Sequence, residues 1–375
     1  MGSSDAILVT GADGYLGSTL ARLLLQHSPE AGLILWIRSG DQSEFESKVE
    51  RLKAVLECGV SNQKRISFAT GDLTSEACFD AVDPGTISNI VHSAAVTRFN
   101  VDAQTAQSVN VMGTKRVVEF AKKCRKLEQL CQVSSVYASG MAAGVVSEDV
   151  VSDTCGFANH YEQSKYSAEK AIIDDGSGLP WTVVRVATIF ADDSSGTVTQ
   201  YNAVHNTLKL LYYGLISVVP GNADTPLYLI TGDFAARAVA SVLKHGSKQN
   251  IYHACYSREE CTTLGNFVDL AFETFETDPG FKKRRILKPL FTDLEAFNVL
   301  SEAVTTGFSD GITKQAISSV SPFARQLFID KDVKNDKLRQ IMGNYVVPNA
   351  DELVRRTCKF LCQSKWGRSE VGVTH

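Results

Sequence analysis

The chain has 375 residues, 44% hydrophobic and 21% charged, with 38 Lys and Arg against 42 Asp and Glu for a formal net charge of −4. This length points to one large domain with an annex, or to two domains, of ordinary globular composition. The charge balance argues against a nucleic-acid partner: the densest basic cluster, "KKRR" at Lys282 to Arg285, reads as a solvated face. No apolar run reaches the ~18 residues of a transmembrane helix, so no stable membrane insertion is expected. The nearest approach, Leu208 to Gly221, is short and ends in Pro-Gly. The nine cysteines are odd in number and scattered, without a C-x-x-C pair or a zinc-type array with His. Free thiols in a reducing compartment and no metal centre follow. The N-terminus runs directly into a predicted strand without a signal peptide, so a cytoplasmic location is expected.

The first half alternates strand and helix signals. "AILVTG" is an apolar run of the buried parallel-strand type, and "STLARLLLQHS" follows with helical periodicity. Strands are predicted at 33–38, 65–73, 89–95, 127–135 and 181–190, with helices between them. Strict β-α alternation with short links implies a Rossmann-like, doubly wound parallel sheet covered by helices on both faces. After about Ala191 the regularity fails. The segment 226–245 reads as a strand returning to the core sheet and then a helix. A smaller, mostly helical substrate-binding region is expected from 191–225 and 246–375, built on the nucleotide-binding core of 1–190.

The first strand runs into "TGADGYLGS". Gly11, Gly14 and Gly17 stand between a strand and a helix, where small residues let the backbone approach a pyrophosphate at the helix N-terminus. Thr10, Tyr15 and Leu16 belong to the same turn. Asp13 would repel phosphate and is expected to point outward. The second strand ends in Arg38 and Ser39 where an NAD site favours Asp or Glu. A guanidinium pairs bidentately with a 2′-phosphate, so NADPH is the expected cofactor. Asp72 and Leu73 close the third strand, where a carboxylate accepts from an adenine amino group. Ala94 and Ala95 close the fourth, where small side chains leave room for the cofactor.

Downstream, "HYEQSKYSAEK" places Tyr161 and Lys165 one helical turn apart on a shared face. A free phenol with a pKa of about 10 exchanges protons poorly near neutrality. A neighbouring ammonium stabilises the phenolate and lowers that value. Two hydroxyls, Ser134 and Ser135, end the fifth strand, and either can orient a carbonyl and stabilise charge developing on it. Taken singly, these residues are ordinary helix-surface or capping positions.

Taken in order, the glycine-rich loop, Asp72-Leu73, the small-residue turn, Asn110, the serines and Tyr-x-x-x-Lys resemble the extended short-chain dehydrogenase/reductases over about residues 6–245. That resemblance selects Ser135 over Ser134 as the catalytic hydroxyl. It assigns Asn110 to a structural or proton-relay position, and Lys165 to the nicotinamide ribose as well as to Tyr161. More narrowly, "VHSAAVTRFNVDAQTAQSVNVMGTKRVVEFAKKC" and "YEQSKYSAEK" are similar to reductases that act on acyl thioesters. These are the male-sterility-type fatty acyl-CoA reductases and the terminal reductase domains of peptide and polyketide synthases. The resemblance implies NADPH-dependent reduction of a carrier-protein- or coenzyme-A-bound acyl thioester to aldehyde or alcohol, by a monomer or homodimer. Ser135 stands where that group usually has Thr, and Arg185-Val186 where the wider family often has Arg-Pro. The alternative is a reductase of a free aldehyde or ketone, or a hydroxysteroid-type dehydrogenase, using the same residues.

Overall fold

The computed structural model describes residues 5–27, 31–56, 64–307 and 321–367; Cys58 lies outside them. A seven-stranded, wholly parallel sheet organises the chain. Its strands are β1 (Ala6–Thr10), β2 (Gly32–Ile37), β3 (Ile66–Thr70), β4 (Ile87–His92), β5 (Gln129–Ser135), β6 (Trp181–Val186) and β7 (Asn250–Ala254). The spatial order is β7-β6-β5-β4-β1-β2-β3. The order reverses between β1 and β4, and ligands bind at such a switch point beyond the carboxyl ends of the strands.

Both faces of the sheet are covered, so a strand such as β2 reads as a near-continuous apolar run instead of alternating. In β1, Ile7 and Val9 face one core while Ala6 and Leu8 face the other. The first core is closed by α1 (Tyr15–His27), α2 (Gln42–Leu56) and, later in the chain, α5 (Gly232–His245). The second is closed by α3 (Gly113–Lys123) and α4 (His160–Asp174). A third apolar cluster joins the helices at 203–213, 264–275 and 350–363.

Three expectations change. The seventh sheet strand is Asn250–Ala254, not the segment at 226–231. Thus the annex expected over 246–375 gives one strand to the core. The run 181–190 breaks at Ala187: Thr188–Ala191 turns away to pair in parallel with Leu229–Thr231. An unbroken apolar run has no period that would mark where one sheet ends and another begins. The stretch 321–333, expected to be helical, is so only at 321–324; a 3-10 turn, Arg325–Phe328, follows, and then Lys331–Val333, which pairs with Gly144–Val146.

A buried charge pair ties β6 to α4. Arg185, fully buried, donates from Nε and Nη2 to the carboxylate of Glu169, the shortest contact being 2.7 Å. Its Nη1 reaches the carbonyl of Asp149 at 3.0 Å and His253 Nε2 at 3.1 Å. His253 Nδ1 lies 2.7 Å from the carbonyl of Lys334, which only accepts. Nδ1 therefore carries the proton, and Nε2 is free to accept from Arg185. Ser134 donates to Glu169 Oε1 at 2.5 Å, so its hydroxyl is committed to this network. Removing one partner of a buried pair strands the other charge. Glu169→Gln should therefore cost about 3 kcal/mol or more, read as a lowered midpoint in urea unfolding; an unchanged midpoint would refute the assignment.

Candidate active site

The nucleotide end of the site is built by close backbone approach. Gly11 has φ +66°, and a Cβ there would lie 2.7 Å from Ala94 Cα. A Cβ on Gly17 would lie 2.1 Å from the Gly11 carbonyl oxygen. The loop thus packs directly onto the turn after β4, and the first-turn N–H groups of α1 are left without intrahelical acceptors. These residues fit a dinucleotide pyrophosphate. Asp13 is exposed and 3.5 Å from Lys48, pointing outward as expected. Tyr15 turns away from the loop: its hydroxyl donates to Asp192 Oδ1 at 2.7 Å, which sequence reasoning did not foresee. Leu16 packs against the first core.

Arg38 is exposed at the end of β2 and forms no ion pair among the described residues. Asp72 Oδ1 accepts from the backbone N–H and hydroxyl of Thr74, at 2.8 and 2.7 Å. Burial raises the Asp72 carboxyl, but these bonds and the nearby Arg38 hold it below its usual value. Leu73 is buried and packs against Gly113 at the foot of α3. Ala94 and Ala95 are both half-buried beside the glycine loop.

A buried hydrogen-bonded chain links the nucleotide end to the catalytic end. Thr114 Oγ1 donates to the carbonyl of Asn110 at 2.7 Å, so it accepts from His92 Nε2 at 3.2 Å. His92 Nδ1 must then accept from the hydroxyl of Thr10, 2.7 Å away, and Thr10 Oγ1 accepts from the N–H of Ala94. Burial, reinforced by Lys165, pushes His92 down to about 3 and keeps it neutral. Asn110 lies in a π-helical stretch, Ala106–Met112, ahead of α3. Its Oδ1 accepts from Val96 N at 2.8 Å, and its Nδ2 donates to Val96 O and to Ser164 Oγ at 3.0 and 2.9 Å. Asn110 thus fastens the loop after β4 to α4; it does not cap a helix.

α4 is capped by Asn159, whose side chain accepts from Glu162 N. His160 is exposed. Tyr161 is buried, and Ser135 lies close enough to act on its phenol. Burial pushes its phenol up to about 12, nearby Ser135 opposes this, and Glu162 adds to it. Lys165 is turned to the carbonyl of Val133 at 2.8 Å. Burial takes its ammonium down to about 8 against the pull of Glu169. The lowering of the phenol expected from Lys165 does not occur: the ammonium is turned to Val133, and burial leaves the phenol raised, with Ser135 opposing. Phe99, from the quoted "TRFN", stands edge-on to Tyr161 at 5.4 Å and against Phe323 at 5.0 Å. Tyr137 completes the cluster.

Tyr137 and Phe323 also wall a largely apolar cavity of about 1220 Å³, its open mouth included. Leu211, Val219, Leu227 and Phe267 from the annex enclose it, with Gln326 and Lys331 among its few polar groups. Neither Gln326 nor Lys331 carried a motif that sequence reading could catch. Among the described residues there is no His, Cys, Asp and Glu group able to hold a metal, and no helix long and apolar enough to cross a membrane.

A doubly wound parallel sheet with a glycine turn at its switch point, and with Ser135, Tyr161 and Lys165 beyond its carboxyl edge, is the architecture of the Rossmann-like dinucleotide-binding class. The chain belongs to the male sterility protein family, whose profile matches residues 9–239. It is 22% identical over 311 residues to fatty acyl-CoA reductase wat of Drosophila melanogaster, covering 71% of this chain and 60% of that protein. The chain spans about half the length of the curated relatives it matches, 50% for a second Drosophila homologue described as a putative fatty acyl-CoA reductase. The terminal R domain of a myxalamid biosynthetic pathway shares the fold with a TM-score of 0.77 at 19% identity, covering 98% of this chain and 93% of that one. A thiolation-reductase di-domain from an archaeal non-ribosomal peptide synthetase gives 0.74 at 20% identity, covering 97% of this chain and 76% of that one.

The cradle makes a direct prediction. Gly11→Ala forces a side chain into a left-handed turn against Ala94, a strain of about 1–3 kcal/mol. NADPH affinity, followed by fluorescence titration, should fall about tenfold or more; unaltered binding would exclude this loop from the cofactor site.

Proposed function

We propose that the protein is an NADPH-dependent reductase of acyl thioesters, held by coenzyme A or by a carrier protein. The observation that carries this reading is an apolar cavity walled by Val136, Tyr137 and Phe323, the residues that follow Ser135 and that join Tyr161 through Phe99. Such a cavity suits an acyl chain and no polar sugar. The similarity to fatty acyl-CoA reductases and to carrier-linked reductase domains supports it. NADPH, when bound, supplies the hydride. Arg38, a cation without an ion pair among the described residues at the end of β2, suits the 2′-phosphate.

Ser135 orients the thioester carbonyl, and Tyr161 delivers the proton to its oxygen as negative charge develops there. Lys165 supplies positive charge and would hold the ribose of the bound cofactor. The hemithioacetal collapses by breaking its C–S bond, leaving a free thiol and an aldehyde. A second round of hydride and proton delivery at the same groups gives the alcohol. Asn110 acts by position, through Val96 and Ser164. A monomer or homodimer working in the cytoplasm suits this reading.

The test is product analysis with NADPH and acyl thioesters of varied chain length, beside free aldehydes and ketones. Thioester-dependent NADPH oxidation with release of thiol is expected; reaction of free carbonyls alone would replace this reading with the free-carbonyl reductase. Tyr161→Phe should reduce turnover by roughly a hundredfold or more with NADPH binding retained. Arg38→Ala should weaken NADPH about tenfold, as for loss of a charge-assisted bond, and leave NADH nearly unaffected.

The pH dependence has a definite sign. Lys165 is protonated below about 8 and loses its charge above it, whereas the phenol at about 12 stays protonated throughout. The kcat/KM for thioester reduction should therefore fall as pH rises through about 8. A profile that stays level well past that value would remove the Lys165 cation from the reaction.

A further inference from the structure

The floor of the apolar cavity carries two polar side chains, from the arm 321–333, that the reaction as described does not use. Gln326 and Lys331 are both buried. Gln326 Nε2 donates to the carbonyl of Gly140 at 3.1 Å and to Glu162 Oε2 at 2.9 Å. Lys331 Nζ donates to the same carbonyl at 2.5 Å and to Ser139 Oγ at 3.1 Å. Asn159, the cap of α4, donates to Pro322 O at 3.1 Å.

The ends of this bridge are not arbitrary. Gly140 closes the 3-10 turn Val136–Ser139 that begins at Ser135. Its φ is +57°, and a Cβ there would meet the Gly156 carbonyl at 2.2 Å, so the turn has one permitted shape. Glu162 follows Tyr161 directly, is fully buried, and also accepts from Ala158 N at 2.9 Å. Burial pushes the Glu162 carboxyl up and the Lys331 ammonium down to about 8, each opposed by the other's charge. An apolar pair would hold two elements together at lower cost than buried charges do. What the polar set adds is direction: it fixes the turn carrying Ser135 relative to the helix start carrying Tyr161.

We propose that Gln326 and Lys331 are positioning residues for the reduction, holding the Ser135 turn and the Tyr161 helix start in one geometry from the floor of the acyl cavity. The proposal rests on the thioester-reductase reading for its kinetic consequences but not for its structural ones. The sequence carries no sign of it, because the bridge joins residues 164 to 192 positions apart.

The test uses Gln326→Leu, Lys331→Met and Lys331→Arg in the full chain, with a melting temperature for each. Hydrogen–deuterium exchange without substrate should rise in both Val136–Gly140 and Glu162–Lys165 for Gln326→Leu and Lys331→Met. NADPH affinity should stay within about twofold, because neither residue touches the glycine turn; loss of a charge-assisted bond should cut kcat about tenfold while KM changes little. With NADPH deuterated at the transferred position, the isotope effect on kcat should grow as hydride transfer becomes slower. Lys331→Arg, which keeps a cationic donor, should recover most of kcat. Unchanged exchange in both segments would overturn the proposal, as would a loss of kcat explained wholly by a lower melting temperature. If Lys331→Met fails to fold, Gln326→Leu decides alone. If the wild-type protein turns over no thioester, the functional reading fails, and the exchange measurement still decides the positioning.

Discussion

The amide of Asn110 is the joint on which the site depends. A parallel sheet delivers its strand ends to one edge, but it does not by itself set a loop after β4 against a helix after β5. Asn110 does so with all three of its polar contacts, two to the backbone of Val96 and one to Ser164. Its π-helical turn gives the side chain the reach, at the expense of regular helix geometry. Behind it the Thr114–His92–Thr10 chain runs to the glycine turn. The glycine turn and the start of α4 are therefore parts of one buried network. A neutral His92 is essential to it, because only the Nε2-protonated ring satisfies both hydroxyls at once.

The two serines at the end of β5 go to different partners. Ser134 and Ser135 are neighbours at the end of β5, and alternation along a strand sends them to opposite faces. Ser134 meets the buried Glu169–Arg185 pair and is consumed there, while Ser135 meets Tyr161. Glu169 has a second effect, since its charge supports the ammonium of the buried Lys165. Charges that look purely structural thus hold the protonation state that the chemistry needs. Phe99, Tyr137 and Phe323 exclude water from the phenol, and this burial is the main reason it stays protonated.

The nucleotide half of the molecule was legible because its signals are local. Six apolar runs, a glycine turn and a Tyr-x-x-x-Lys pair each lie within a few residues, and their order identifies the class. The seventh strand was not legible. Asn250–Ala254 is a short run inside a segment without β-α rhythm, whereas 226–231 has the stronger strand pattern but pairs elsewhere. The bond from the Tyr15 hydroxyl to Asp192, a partner 177 positions away, was not legible either.

What the sequence by itself determined is the order of the chemical groups: glycines at a strand end, Arg38 after β2, two serines, then a tyrosine and a lysine one turn apart. These rest on covalent spacing and backbone periodicity, which neighbours in the chain decide. Only the tertiary structure decided which serine is free, which way Lys165 points, that Asn110 fastens rather than caps, and that Gln326 and Lys331 meet the turn of Ser135. Those depend on burial and on hydrogen bonds between distant segments, where a side chain's role is set by whatever partner the fold brings within about 3 Å.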